Sequence, residues 1–136
     1  MKLVIDANVV ISALLKDNLI REIITSAEFN FVTPEFILEE IHKYKDYIKE
    51  KANLDDTNFE SITTLLFEFI HVISKEEYSK EINRAEKLIE DIKDIPYVAC
   101  YFALNCDGIW TNDNDFKRTG IKLFSTQELI NVSRGC

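Results

Sequence analysis

The sequence predicts an α/β protein, a three-layer α/β/α sandwich built on a central parallel sheet. Two observations carry this. Short runs rich in Val, Ile and Phe alternate with longer stretches whose apolar residues recur at helical spacing, and strands separated by helices pair in parallel. The short runs are continuously apolar, as strands covered by helices on both faces are. With 136 residues, 46% hydrophobic and 29% charged, the chain has the length of one domain and can bury one sizeable core, so residues 1–136 are read as a single domain.

Residues 2–5 form the first strand. A helix over 8–15 is apolar on most faces, and an amphipathic stretch over 18–27 places Ile20, Ile23 and Ile24 together. Residues 29–33 read as the second strand. Pro34 suits the first turn of a helix, and the stripe Phe36, Ile37, Ile41, Tyr44 and Ile48 continues it. Asp55 and Asp56 precede a helix over 57–71, with Ile62, Leu65, Leu66, Phe69 and Ile70 facing inward. Residues 78–92 give another, with Ile82, Ala85, Leu88, Ile89 and Ile92 as its buried stripe. Asp94 can cap a helix over 95–105 that is apolar all round and therefore buried. Cys106-Asp107-Gly108 stops it. Residues 109–111 are a short strand and 112–116 a polar turn; Gly120 then breaks the chain before a last strand over 122–124. Ser125 caps a final helix over 126–132, with Glu128 completing a capping box.

Several chemistries lack support. The longest apolar run, 95–104, is too short to span a bilayer, and the opening MKLVIDANVV carries Asp6 inside its apolar stretch with no small-residue cleavage site. Cys100, Cys106 and Cys136 are odd in number and lack CxxC spacing, which argues against a disulfide framework or a zinc site and for a cytoplasmic protein. His42 and His71 have no partner at metal-ligand spacing. Phosphate-loop, dinucleotide and serine-hydrolase motifs are missing. The formal charge is −8, whereas a protein that bound nucleic acid by charge alone would be basic. Either it does not bind nucleic acid, or metal neutralises some carboxylates.

Ligands in open parallel sheets bind beyond the carboxyl ends of the strands. Asp6 directly follows the first strand. Asp113, with Asp115 two residues on, directly follows the strand at 109–111. Asp94 opens the helix leading into that strand, and Glu40 lies in the helix after Pro34. If these acids converge, their like charges are unfavourable without a cation, and Mg²⁺ or Mn²⁺ suits carboxylate and water oxygens. Each acid also has a structural reading. Asp6 and Asp94 can be helix caps, Asp113 and Asp115 turn formers, and Glu40 or its neighbour Glu39 a solvated helix carboxylate.

Four blocks, MKLVIDANVVISAL, PEFILEEI, KDIPYVACYFAL and IWTNDNDF, resemble the PIN domain family in order, spacing and neighbours across essentially the whole chain. The last block is the most specific. The resemblance implies a metal-dependent ribonuclease fold with an acidic pocket at the strand ends, and in many small members the toxin half of a toxin–antitoxin pair. It implies Asp6, Glu40, Asp94 and Asp113 as catalytic acids, the same four with Asp115 as metal ligands, and Asn8, Ser12 and Thr111 as polar pocket support. Glu40 is preferred to Glu39 because the family's Glu precedes an aliphatic residue, here Ile41. The expected activity is Mg²⁺- or Mn²⁺-dependent endonucleolytic hydrolysis of RNA. A small antitoxin and a second copy of the chain are the expected protein partners, and no membrane is involved. RNA contact should be local, through Lys117 and Arg118 and through Lys43, Lys45, Lys49 and Lys51, although a solvated helix face explains these lysines equally well. Residues 52–92 are the least family-like. Two alternatives stand beside this reading. One is an antitoxin-binding or assembly module with little or no catalysis. The other is a phosphotransfer enzyme with an Asp nucleophile, for which no Lys stands in a partner position.

Overall fold

The computed structural model describes residues 1–133, so Cys136 lies outside the described residues. Five strands form one sheet: β1 (Lys2–Ile5), β2 (Asn30–Pro34), β3 (Ile70–Ile73), β4 (Gly108–Trp110) and β5 (Leu123–Phe124). Their order is β3-β2-β1-β4-β5, and every neighbouring pair is parallel. The chain builds outward from β1 to β2 and β3, then crosses to the other side of β1 for β4 and β5. The direction of winding therefore reverses between β1 and β4, which opens a crevice at their carboxyl ends.

Helices cover both faces. The first half of the chain contributes α1 (Ala7–Leu14), α2 (Asn18–Ile24), α3 (Phe36–Lys43), α4 (Lys45–Ala52) and α5 (Asp56–Phe67), with α1 packed against the other four. The second half contributes α6 (Lys75–Tyr78), α7 (Ile82–Glu86), α8 (Ile95–Ala103) and α9 (Thr126–Ser133). Of these, α8 lies on β1 and β2 with α6 and α7 against it. Leu3, Val4 and Ile5 of β1 are fully buried, as expected for a central strand between two helix layers. Among the described residues no helix is long and apolar enough to cross a membrane.

Local chemistry explains most boundaries. Asp17 caps α2 by accepting from the Leu19 and Ile20 amides, both at 3.1 Å. Asp55 caps α5 through Asn58 N–H at 2.7 Å. The capping box at α9 forms as its spacing predicts: Glu128 N–H donates to Ser125 Oγ (3.1 Å) and Ser125 N–H to Glu128 Oε1 (3.2 Å). Trp110, fully buried at the end of β4, satisfies its indole N–H on Thr126 Oγ1 at 3.1 Å.

Four sequence readings change. The helix read over 57–71 ends at Phe67, and its last residues become β3; Leu65 and Phe69, expected inward, are exposed, while Ile70 is buried in the sheet. The helix read over 78–92 breaks into α6, a 3-10 turn at Ser79–Glu81 and the short α7. Ile92, expected in its buried stripe, is 80% exposed. Pro34 closes β2 rather than opening α3, and Tyr44, where α3 gives way to α4, is exposed. The stop after α8 is made by Asn105 in the left-handed region (φ 51°), not by Gly108. Gly108 begins β4, where a Cβ would lie 2.6 Å from both the Lys122 carbonyl oxygen and the Phe124 ring. Close approach of β5 is what excludes a side chain there.

Candidate metal centre

The crevice between β1 and β4 is where the first two acids sit. Asp6 extends the sheet by one rung, its N–H donating to Trp110 O at 3.1 Å, before the chain turns into α1. Its backbone stands at the helix cap position, yet its side chain caps no amide. Instead the carboxylate, 4% exposed, accepts the Thr111 hydroxyl proton at 2.8 Å. Thr111 Oγ1 in turn accepts from the Asp113 amide at 3.0 Å. One hydroxyl thus ties the end of β1 to the end of β4. Asp113 is half-buried, and its Oδ1 accepts the Asp115 amide at 3.0 Å, which turns the chain into a 3-10 segment at Asn114–Thr119.

Burial pushes the Asp6 carboxyl up to about 6; the Thr111 hydrogen bond opposes this, and the charges of Asp113 and Glu40 add to it. Glu40 belongs to α3 and is half-buried, whereas Glu39 beside it is exposed. Tyr97, buried on α8, donates its hydroxyl to Glu40 Oε1 at 2.5 Å. Burial raises the Glu40 carboxyl, and the Tyr97 bond, then Lys93 and Lys43, counter it.

Asp94 precedes α8 but does not cap it through its side chain. Its backbone is already helical (φ −89°, ψ −21°), unlike the extended backbone typical of a capping residue. The carboxylate is 9% exposed, and Oδ2 is buried with no hydrogen-bond partner. Burial pushes this carboxyl up to about 7, helped by Asp91, Asp6, Asp115 and Asp113 in that order. Asp91 is not among the acids that the sequence marks. The turn over 91–94, closed by Asp94 N–H to Asp91 O at 3.0 Å, sets the two side chains near each other. Carboxylate oxygens of Asp91, Asp94 and Asp115 all lie within 4.8 Å of one another. The sequence signal was there, an acid three residues before Asp94, but it reads as part of a solvated polar run.

A cleft of about 650 Å³ opens over this trio, lined by Leu88, Ile89, Glu90, Asp91, Asp94, Asn114, Asp115 and Arg118. Asp6, Glu40 and Asp113 are not in its lining, although Asp6 and Asp113 act electrostatically on Asp94. A groove of about 720 Å³ lies elsewhere, along β2 and β3 with Lys2, and holds none of these acids.

The remaining sequence candidates divide. Thr111 is integral to the site. Ser12 donates its hydroxyl to its own helix at Asn8 O (2.9 Å), and among the described residues no hydrogen bond links Asn8 or Ser12 side chains to the acids. Lys49 and Lys45 are engaged with Asp56 and Glu60, at 2.5 Å for Lys49–Asp56 and 3.4 Å for Lys45–Glu60. Of the basic residues expected to meet RNA, Arg118 is the one that lines the cleft.

An all-oxygen donor set and a buried carboxylate oxygen without a partner are the chemistry that a hard cation takes.

Comparison with known proteins bears on this fold. Curated proteins give no match. Among solved structures, the chain is similar to one in the crystal structure of VapBC2 from Rickettsia felis bound to a DNA fragment from their promoter. The TM-score is 0.63 at 17% identity, covering 92% of this chain and 98% of that chain, a likeness of fold alone. The family model described as PIN domain matches residues 4–133, from the middle of β1 to the end of α9. With that match over almost its whole length, and with the parallel α/β/α sandwich now described, the chain belongs to the PIN domain family.

Proposed function

We propose that the protein is a Mg²⁺- or Mn²⁺-dependent endoribonuclease that hydrolyses RNA phosphodiester bonds, and that it is the toxin component of a toxin–antitoxin pair. The observation that carries the reading is the pair of buried aspartates, Asp6 at the end of β1 and Asp94 before α8, which act on each other electrostatically with no ion pair among the described side chains to offset them. Burying such charges is costly unless a ligand compensates them.

Asp6, Glu40, Asp94 and Asp113, with Asp115, would hold the ion. When bound, it supplies positive charge against the developing phosphoryl charge and acidifies coordinated water. The chain's own residues do the rest. Thr111 locks the Asp6 carboxylate and the Asp113 amide in one register, so the two strand ends move as a unit. Tyr97 holds Glu40 through Oε1, which leaves the other carboxylate oxygen as the one that would reach the ion. Arg118 meets an RNA phosphate at the cleft wall, which localises binding on an otherwise acidic protein. The likeness to VapBC2, crystallised with promoter DNA, supports a life with a partner protein, here a small antitoxin. Self-pairing into a homodimer is part of the same reading.

The test is cleavage of a mixed single-stranded RNA pool by the purified protein in Mg²⁺, in Mn²⁺ and in chelator. Metal-dependent cleavage that is lost in Asp6→Asn and Asp113→Asn supports the reading. No cleavage together with no metal binding favours the non-catalytic module instead.

A further inference from the structure

The lysines of α3 and α4 divide into two sets. Lys45 and Lys49 turn toward α5, where Asp56 pairs with both and Glu60 with Lys45, and Lys45 also lies over the Phe59 ring at 5.5 Å. Lys43 and Lys51 are exposed and form no ion pair among the described residues. Each sits instead over an exposed tyrosine of the same segment. Lys43 Nζ is 5.6 Å from the centroid of the Tyr44 ring, and Lys51 Nζ is 6.0 Å from that of Tyr47. Tyr44 is 39% exposed and Tyr47 50%. We propose that this face is a track for single-stranded RNA, on which Tyr44 and Tyr47 each stack a base and Lys43 and Lys51 meet the neighbouring phosphates, leading the strand to Glu40.

The spacing places the track. Glu40, Tyr44, Tyr47 and Lys51 recur at helical spacing, which puts them on one side of the segment, while Ile41 and Ile48 are buried in the core. The helical turn carries across the junction of α3 and α4, because Tyr44 N–H donates to Glu40 O at 3.2 Å and Ile48 N–H to Tyr44 O at 2.9 Å. The track begins at the acidic site, since Lys43 is close enough to act on the Glu40 carboxyl. Its chemistry selects the occupant. An ammonium beside each open ring matches a chain that alternates phosphate with an unstacked base. A duplex keeps its base faces stacked on one another and offers none to the rings. On a protein of formal charge −8, a polyanion has to be met at such local points.

The inference rests on the reading of the protein as a ribonuclease, and the experiment separates the two. Binding of a fluorescein-labelled, mixed-sequence single-stranded RNA to the full chain is measured by anisotropy in chelator, which removes the ion that the proposed cleavage needs. Tyr44→Ala and Tyr47→Ala should each weaken binding about fivefold or more, whereas Tyr44→Phe and Tyr47→Phe, which keep the ring, should bind like the wild type. Lys43→Ala and Lys51→Ala should flatten the salt dependence of binding. The same RNA paired into a duplex should not respond to either tyrosine substitution. All four side chains are exposed, so the variants should fold, which circular dichroism checks. In Mn²⁺ the two alanine variants of the tyrosines should cleave with KM raised more than kcat is lowered. Affinity for single strands unchanged in both of them overturns the track and leaves the nuclease reading standing; a changed sedimentation of those variants would then mark the face as a protein interface. A wild type that binds no RNA in chelator also overturns the track. Binding that depends on the tyrosine rings, without cleavage in Mg²⁺ or Mn²⁺, upholds the track and overturns the nuclease reading.

Discussion

Replacing Asp6 by Asn should stabilise the metal-free protein at neutral pH, even though it removes a proposed ligand. The Asp6 carboxyl is pushed from its ordinary 3.8 up to about 6 in the fold. A group whose folded pKa is raised binds its proton more tightly when folded. Its favourable contribution is therefore complete below about pH 4 and is lost as pH rises through about 6. Keeping the charged form buried at pH 7.5 thus costs about 3 kcal/mol. Asparagine keeps an oxygen for the Thr111 hydroxyl but brings an amide that needs its own partner, which reduces the expected gain to about 1–3 kcal/mol. At about 0.3 kcal/mol/K of unfolding entropy for a chain of this length, the melting temperature rises by about 3–10 °C. The assay is thermal unfolding by circular dichroism in chelator, at pH 7.5 and near pH 4. The gain should shrink to under about 1 kcal/mol at the acid end, where wild-type Asp6 is itself protonated. An Asp6→Asn protein that is no more stable than wild type at pH 7.5, or equally stabilised at both pH values, would refute the account of a buried, uncompensated charge.

Other outcomes follow from particular contacts. Thr111→Val removes both the donor to Asp6 and the acceptor for the Asp113 amide; urea unfolding at pH 7.5 should show a loss of about 1–3 kcal/mol. Gly108→Ala forces a methyl against the Lys122 carbonyl and the Phe124 ring, and the same assay should show a loss of about 1–3 kcal/mol from overpacking. Tyr97→Phe should leave stability within about 1.5 kcal/mol while lowering RNA cleavage roughly tenfold or more. Because the Tyr97 hydroxyl restrains the rise of the Glu40 carboxyl, its loss should also move the acid limb of the pH–rate profile to higher pH. A Tyr97→Phe profile that keeps its acid limb in place separates Tyr97 from Glu40.

Much of this fold is legible in the sequence, for reasons visible in the elements themselves. β1, β2, β4 and β5 are short apolar runs with polar residues or Gly beside them, and the parallel order follows from the helices between them. β3 is hidden. Ile70 and Ile73 continue the apolar spacing of α5, and Glu68-Phe69 breaks the helix without Gly or Pro. Tertiary pairing with β2, not local propensity, decides that Ile70–Ile73 is extended. Similarly, Ile82, Leu88 and Ile89 pack inward as their spacing suggests, but the chain turns before Ile92, which ends in solvent.

At the site, Asp6 and Asp113 are readable because a charge just after a buried strand needs a reason. Thr111 emerged from the family resemblance, and its hydroxyl bridge gives that choice a physical basis. Asp94 stands out in the sequence as a candidate acid and helix cap, but its side chain caps nothing, because capping depends on the extended backbone that this residue lacks. Asp91 could not be singled out from sequence. An exposed acid beside Glu90 resembles any solvated turn until the turn onto Asp94 and the approach of Asp115 are seen.

In the proposed function the acids gathered at the carboxyl ends of β1 and β4 hold a divalent cation. The most direct measurement is anomalous diffraction from crystals of the protein equilibrated with Mn²⁺. Anomalous density is expected between Asp6 and Asp113, within coordination distance of their carboxylate oxygens. Crystals saturated with Mn²⁺ that show no density at Asp6, Asp94 or Asp113 would contradict it.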